Sequence, residues 1–409
     1  MRIERLGQLG DASAVLLALA SAGPANPAAL VGDWFSSRAV IAPRVTAVPV
    51  RPHEVFATSA AAGDVVGGGW IGYLSYPDPG ADGRAGRIPE AAGGWTESVL
   101  RQDRDGIWWY ETLSDTPMPS WLARALTRRP RCTGWRIDWD SADRGAHRVG
   151  VAACLDAIAA GEVYQACVCT QFTGRMDGSP LEFFADAVAK TAPARAAFVA
   201  GEWGAVASLS PELFVRRRGQ SVTSSPIKGT APWYTSPSDL FHSVKDVAEN
   251  IMIVDLVRND LGRVAAVGSV TTPELLAVRP APGVWHLVST VSARVPVDVP
   301  MSSLLDATFP PASVTGTPKI RARQLLSQWE PHRRGIYCGT VGLASPVAGT
   351  ELNVAIRTVE FDAHGGAVLG VGGGITADSD PDNEWSECLH KAAPIIGAGQ
   401  LSLDRNTAS

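Results

Sequence analysis

The sequence predicts an α+β protein built from large, mainly antiparallel β-sheets. Three observations carry that expectation. Helical and strand-like periodicities are mixed along the chain, with strands meandering in succession and no repeating strand–helix–strand unit of the dinucleotide-binding kind. The 409 residues, 45% hydrophobic and 19% charged, can bury the core of one large enzyme with an intimately packed second lobe, or of two to three domains. The first 140 residues are rich in Pro, Gly and Trp and offer only short β-like segments.

Each element follows from local pattern. Ala12 to Ala22 reads as a short helix capped by Asp11, because Glu4 and Asp11 interrupt what would otherwise look like a signal peptide. Val65 to Tyr76 reads as a glycine-rich turn entering a strand, Ser75 to Gly94 as an exposed loop and Thr127 to Asp140 as a connector. From Ala142 the texture changes. Arg144 to Ala160 carries apolar residues at helical spacing (Val149, Ala153, Leu155, Ile158), and Val163 to Phe172 alternates as a strand. Pro180 to Lys190 is a second helix, and Ala196 to Phe214 is a run of strands turning at Gly201 to Gly204. Ser243 to Leu261 and Ala322 to Trp329 are helical; Ile336 to Ala344, Glu351 to Phe361 and Ala367 to Val371 are strands; a helix from about Asp382 to Ile396 closes the chain. The expected organisation is a β-rich region over 1–140 packed on the catalytic part, a catalytic domain over 141–400 and a tail over 401–409.

Composition excludes several classes. A net charge of −5 and the absence of a long basic run speak against nucleic acid; Arg216-Arg217-Arg218 is the densest basic cluster and reads as a turn between strands. No apolar run reaches the roughly 20 residues of a membrane helix. The six cysteines form no CxxC pair. Cys167 and Cys169 alternate on one strand face and read as buried apolar residues, so a cytoplasmic protein without a disulfide framework is expected.

The chemistry is signalled by lysine. Only five of the 36 basic residues are lysines: Lys190, Lys228, Lys245, Lys319 and Lys391. One stands in Pro226-Ile227-Lys228-Gly229-Thr230. An amine, unlike a guanidinium, becomes a nucleophile once desolvated and deprotonated. Codon bias explains the scarcity of lysine but not where the survivors stand. Glu212, in Ser210-Pro211-Glu212, sits at the end of a buried strand, where a carboxyl acquires a raised pKa suited to a general acid; a paired structural acid is the plainer reading of that position alone. Asp246 and Glu249 share one helix face, as do Glu384 and Glu387 with Lys391 one turn later. Two such helices can hold one Mg²⁺ between them, although either pair alone reads as a solvated face. Gly370-Val371-Gly372-Gly373-Gly374-Ile375 reads as a glycine-rich turn after a strand, open to close approach by an anion, and a plain tight turn explains it equally well. Arg357 offers a fork suited to a carboxylate. His286, read as lying between strands, could orient a hydroxyl or a ring.

Taken together these segments resemble the chorismate-utilising enzymes, the family of anthranilate synthase and aminodeoxychorismate synthase component I. The likeness spans roughly Ala142 to Gly397. It rests on Ser210-Pro211-Glu212, Pro226 to Thr230, Lys245-Asp246 through Arg258-Asn259-Asp260-Leu261-Gly262-Arg263, Phe309-Pro310 to Thr315-Gly316-Thr317-Pro318-Lys319, Gly339-Thr340-Val341-Gly342 and Gly372-Gly373-Gly374-Ile375 to Lys391-Ala392, in the family's order. The resemblance implies α/β/β/α layers with helices outside.

It also implies roles. Mg²⁺ is expected on Glu249 and Glu387, supported by Asp246 and Glu384. Glu212 would protonate a hydroxyl leaving carbon 4 of chorismate, and Lys228 would attack carbon 2. Tyr337, Arg357, Gly372, Gly373, Gly374 and Lys391 would grip carboxylates. Ser313 and the catalytic His286 would line the ring, with Gln165 and Thr230 also among the substrate contacts. Lys228 separates the branches, since anthranilate synthases usually carry Ala there and aminodeoxychorismate synthases carry Lys. Gln165 stands where water-using relatives carry a general-base Lys, and an amide cannot take a proton at neutral pH. Pro311-Ala312 replaces a Gly of many relatives. Trp34-Phe35-Ser36-Ser37 replaces the Leu-Leu-Glu-Ser of feedback-regulated ones, which disfavours tryptophan inhibition. With no Gly-x-Cys-x-Gly nucleophile in the sequence, ammonia is expected from a separate glutamine amidotransferase subunit or from solution. Anthranilate synthase component I, an aminodeoxyisochorismate synthase and a non-catalytic relative are the competing readings.

Overall fold

The computed structural model describes residues 1–22, 26–78, 86–130 and 132–397. The expected tail over 401–409 lies outside them. Two antiparallel sheets stack face to face. The first has twelve strands, in the order Arg2–Gly7, Trp108–Thr112, Ser98–Gln102, Ser37–Ala42, Ala28–Trp34, Arg195–Gly201, Gly204–Ser210, Thr358–Asp362, Gly366–Ile375, Gln165–Gly178 and Gly316–Thr317, with Trp135–Trp139 pairing on Gln165–Gly178. The second has ten, in the order Ile227–Pro232, Val284–Arg294, Ser221–Ser225, Leu213–Arg218, Gly349–Asn353, Thr340–Ser345, Gly69–Leu74, Ala91–Thr96 and Val48–Pro49, with Thr271–Ala281 pairing on Val284–Arg294.

Strand alternation divides the core. In Arg195–Gly201, Ala197 and Val199 face the second sheet and join Leu30, Val40, Tyr73, Val341 and Leu343 in the inter-sheet core. Ala196 and Phe198 point the other way, into a cluster with Leu16, Phe183, Phe184 and Leu389 from the helices. Each fully buried Leu or Phe contributes about 1.5–3 kcal/mol relative to exposure. On the far side, Ile253, Val254 and Val257 of the Val244–Gly262 helix pack on Phe214, Val222 and Val291 of the second sheet. The order helix, sheet, sheet, helix is the layering that the resemblance implied.

The long helices lie where the 3.6-residue period put them, because their ends are also written in the sequence. Asp143, Ser179, Ser243 and Asp380 cap Arg144–Ala159, Pro180–Thr191, Val244–Gly262 and Pro381–Ile396 with side-chain acceptors. Asp11 caps Ala12–Ala20 in the same way. Several other segments differ from expectation. The Glu351 to Phe361 run is two strands in different sheets, Gly349–Asn353 and Thr358–Asp362, because the chain crosses between them and Arg357 turns at φ 51°. The glycine run is no turn: Gly366–Ile375 continues as one strand, paired residue by residue with the 165–178 strand. Arg216 to Arg218 belong to a strand, and Arg217 is buried, donating to the carbonyls of Val299 and Pro296. The 127–140 connector contains the strand Trp135–Trp139. Ser75 and Tyr76 are buried and Ala91–Thr96 is a strand, so only part of the 75–94 segment remains a loop; 79–85 lie outside the described residues. All six cysteines are free.

Candidate active site

Two chain crossings between the sheets set the chemistry. Gly204–Ser210 of the first sheet passes through Pro211 and Glu212 into Leu213–Arg218 of the second. Asn353 passes through Val354 to Arg357 back into the first. The crossings are tied by backbone: Val354 N–H donates to Glu212 O at 3.1 Å and Leu209 N–H donates to Arg357 O at 3.0 Å. Glu212 is buried, and burial pushes its carboxyl up to about 7, against the Ser313 hydroxyl, Lys228, the Ile227 N–H and Arg357, which all favour the carboxylate. Ser313 lies in the turn Ala312–Val314 and is directed at Glu212, although its Oγ completes no hydrogen bond within ordinary geometry. Burial lowers the pKa of Arg357, and Glu212 opposes that.

Lys228 projects from a bulge. The pairing of Ile227–Pro232 with Val284–Arg294 shifts register between Ile227 and Thr230, and a bulge re-aims the side chains it carries. Gly229 makes the bulge possible: its φ is +84°, and a Cβ there would lie 3.0 Å from Asp246 Cβ. The Lys228 amine stands 3.7 Å from Glu249 Oε2. Opposite Thr230, within a strand and not between strands, His286 pairs through Nδ1 with Thr230 Oγ1 at 2.9 Å. Burial, and Arg357 after it, push its imidazole down to about 4, so the ring is neutral at physiological pH.

The glycine strand forms the floor. A Cβ on Gly374 would stand 3.1 Å from Glu249 Oε2, 3.4 Å from Gln165 Oε1 and 3.4 Å from Lys228 Nζ. A Cβ on Gly373 would stand 3.0 Å from Glu384 Oε2 and 3.6 Å from Glu387 Oε1. Gly372 gives its carbonyl to Lys391 Nζ at 2.7 Å. Bare backbone therefore leaves room for Gln165, Lys228 and Glu249 at Gly374 and for Glu384 and Glu387 at Gly373, and Lys245 links the two sets. Tyr337 packs behind, its ring 2.2 Å (at Cγ) from where a Gly370 Cβ would be. Burial, with the Cys169, Cys338 and Cys167 thiols, holds its phenol well above the usual value, as a proton donor.

Three of the four carboxylates meet ammonium groups. Glu384 Oε1 accepts from Lys245 Nζ at 2.9 Å and from Ser379 Oγ at 2.6 Å, while Glu384 Oε2 is buried with no partner. Lys245 also lies 3.9 Å from Glu249 Oε1, and Lys391 lies 2.6 Å from Glu387 Oε1. Burial raises the Glu249 pKa despite Lys228 and Lys245. Burial also works to raise that of Glu387, yet Lys391 outweighs it and the net shift is downward. Asp246 stands apart, half-buried in the first turn of its helix against Gly229. Among the described residues no three acidic, His or Cys groups converge at metal-ligand spacing. The donors nevertheless suit a hard cation: carboxylate oxygens, one an orphan buried atom, over a floor of two glycines.

Sequence reasoning passed over three supports. Lys245 was named among the five lysines but given no role. Lys319 donates to Asp260 and to the carbonyls of Thr308 and Pro310 (3.1 and 2.9 Å), pinning the segment that leads to Ser313. Buried Arg334 donates to Glu330, Val314 O and Cys167 O, joining that segment to the Gln165 strand. The rarity of lysine flagged the first two; nothing in the sequence distinguishes Arg334 among so many arginines.

Residues 52–397 match the chorismate binding enzyme family, and the chain belongs to it. Among curated relatives, it is 38% identical over 68% of its length to aminodeoxychorismate synthase component 1 of Salmonella typhimurium and 40% identical over 58% to that of Escherichia coli. It is 35% identical over 83% of its length to aminodeoxychorismate synthase of Streptomyces pristinaespiralis. Those matches span 62%, 53% and 52% of the relatives' own lengths. In fold the chain is similar to anthranilate synthase component I of Streptococcus pneumoniae (TM-score 0.70, 23% identity, 91% of this chain and 93% of that one). It is also similar to the menaquinone-specific isochorismate synthase of Escherichia coli (TM-score 0.71, 18% identity, 97% and 94%). No described helix is long and apolar enough to cross a membrane.

Proposed function

We propose that this chain is the chorismate-aminating component of an aminodeoxychorismate synthase, converting chorismate and ammonia to 4-amino-4-deoxychorismate. The observation that carries the reading is Lys228: an amine on a bulge, 3.7 Å from Glu249 and over the Gly374 floor, with a high-pKa acid, Glu212, acting on the same bay. The curated relatives named for that product support it. Mg²⁺, when bound by Glu249 and Glu387 with Glu384 and Asp246 in support, supplies positive charge to the substrate's ring carboxylate. The chain's own groups do the rest. Glu212 gives its proton to the carbon-4 hydroxyl, which departs as water. The Lys228 nitrogen bonds to carbon 2 through its electron pair as the ring double bonds shift. Ammonia then bonds to carbon 4, the shift reverses, and Lys228 leaves with its electron pair. Neutral His286 and Thr230 orient the ring edge. Arg357, Lys391 and the protonated phenol of Tyr337 are the donors available to carboxylates. Ammonia comes from a separate glutamine amidotransferase subunit, and free ammonium at high concentration substitutes for it. The free thiols, all buried but that of Cys132, are in keeping with a cytoplasmic setting.

The test is a product assay with chorismate, Mg²⁺ and ammonium, read by chromatography and mass. The expected product is 4-amino-4-deoxychorismate, and Lys228→Ala lowers its formation by at least about 10²-fold, in the range of a lost catalytic group. Fluorescent anthranilate as the main product overturns the reading in favour of an anthranilate synthase. A 2-amino product retaining the enolpyruvyl group favours the alternative suggested by a Streptomyces globisporus relative named 2-amino-4-deoxychorismate synthase, 36% identical over 58% of this chain. Chorismate binding with zero turnover would indicate a non-catalytic relative.

A further inference from the structure

Lys245 is badly placed for a cation unless carboxylates require it. It occupies the first turn of Val244–Gly262, the end of a helix where the backbone dipole repels positive charge. Its ammonium is nonetheless fixed, donating to Glu384 Oε1 at 2.9 Å and lying 3.9 Å from Glu249 Oε1. Those two glutamates sit on different helices, Val244–Gly262 and Pro381–Ile396, and Lys245 is the group that spans them. Glu384 keeps its other oxygen buried and unpartnered, and Glu249 has a second amine, Lys228, on its far side. Both carboxylates are buried, whereas the Lys245 side chain is 37% exposed. The acids are held in place and the cation has a way out.

We propose that Lys245 is a tethered counter-ion for the metal site. It holds Glu249 and Glu384 together when no divalent ion is bound, and it swings outward when one binds. The inference rests on the reading of these glutamates as the Mg²⁺ site. An ammonium and a divalent cation cannot both occupy the gap between two carboxylates, because their repulsion there is scarcely screened by water. Lys245 is thus a positioning residue that lowers metal affinity. In exchange it keeps two buried acids from repelling each other and separating the helices in the metal-free protein. Removing it has opposite effects on two measurable quantities, which a purely structural lysine would not.

The experiment titrates Mg²⁺ by calorimetry, and Mn²⁺ by electron paramagnetic resonance, into the full chain without chorismate. Wild type, Lys245→Met, Lys245→Arg and Glu249→Gln are compared, each with its thermal melt. Lys245→Met is expected to bind Mg²⁺ about tenfold more tightly than wild type, within the range usual for coupling between two ligands of one site. Its metal-free melting temperature is expected to fall and its metal-induced rise to exceed that of wild type. Lys245→Arg, which keeps the charge, is expected to bind near the wild-type value even if Lys245→Met folds poorly. Equal or weaker binding by Lys245→Met, with wild type binding normally, overturns the proposal, as does tenfold tighter binding by Lys245→Arg. If neither wild type nor Lys245→Met binds either ion above the Glu249→Gln background, the metal reading itself fails and the inference falls with it.

Discussion

Glu212 shows how one buried carboxyl links mechanism to stability. Its folded pKa of about 7 stands above the roughly 4.3 of an unfolded chain. The folded state therefore holds a proton that the unfolded chain releases between those values. Its stabilising contribution is complete below about pH 4.3 and is lost as the pH rises through about 7. Glu212→Gln, which cannot ionise, is expected to be more stable than wild type at pH 8, with the difference vanishing near pH 4, in urea melts at each pH. In the proposed reaction the same proton goes to the leaving hydroxyl. Amination by wild type is expected to fall as pH climbs through about 7. Glu212→Gln should lose that limb and about 10²–10⁴-fold in kcat. A pH profile unchanged in Glu212→Gln would remove the acid from the mechanism.

At the scale of the element, the Gly366–Ile375 strand carries two kinds of glycine. A Cβ on Gly370 would meet the Tyr337 ring at 2.2 Å, inside a packed core that cannot yield. The atoms nearest a Cβ on Gly374 would be the tips of Glu249, Gln165 and Lys228, at 3.1 Å or more. Gly370→Ala is expected to cost about 1–3 kcal/mol of stability by overpacking. Gly374→Ala is expected to melt near wild type yet lose most amination, because the added methyl occupies substrate space. Equal melting temperatures for the two variants would contradict the distinction. This strand also marks the limit of sequence reading. Glycine signals a turn and a bare strand floor alike, and only the pairing with Gln165–Gly178, about two hundred residues away, decides between them. The helices were legible because their caps and period are local. The break at Val354 to Arg357 was not, since apolar residues run through it and only the positions of the two sheets demand it. In the sequence, rarity marked Lys228, a helical repeat marked Glu249 and Glu387, and a strand end marked Glu212, while the part of Lys245 depended on a contact between remote helices.

At the scale of the whole molecule, the first 140 residues are woven into both sheets. Ala28–Trp34 pairs with Arg195–Gly201, and Gly69–Leu74 pairs with Thr340–Ser345. Trp34 donates its indole N–H to Ala196 O at 3.0 Å. The inter-sheet core takes Leu30, Val40, Ile71 and Tyr73 from this region and Val199, Val206 and Val341 from the rest. A fragment beginning at residue 141 would expose that core and leave long unpaired strand edges. It is expected to be insoluble or to lack a cooperative melt, measured by circular dichroism. A soluble, cooperatively melting fragment would show that the core closes without them.

The two backbone bonds between the sheet crossings, Val354 to Glu212 and Leu209 to Arg357, have a bearing on how such a molecule changes over generations. They fix the spacing of acid and guanidinium through main chain that no substitution removes, short of proline. Lys228, Gln165 and His286 enter the site as side chains from other strands, and Ser313 from the turn Ala312–Val314. A lineage could therefore exchange the proposed nucleophile or ring contacts one residue at a time while the proposed proton donor stays where it was. Under the proposed reaction, the scaffold would keep the leaving-group step and leave the choice of what replaces the hydroxyl open to selection.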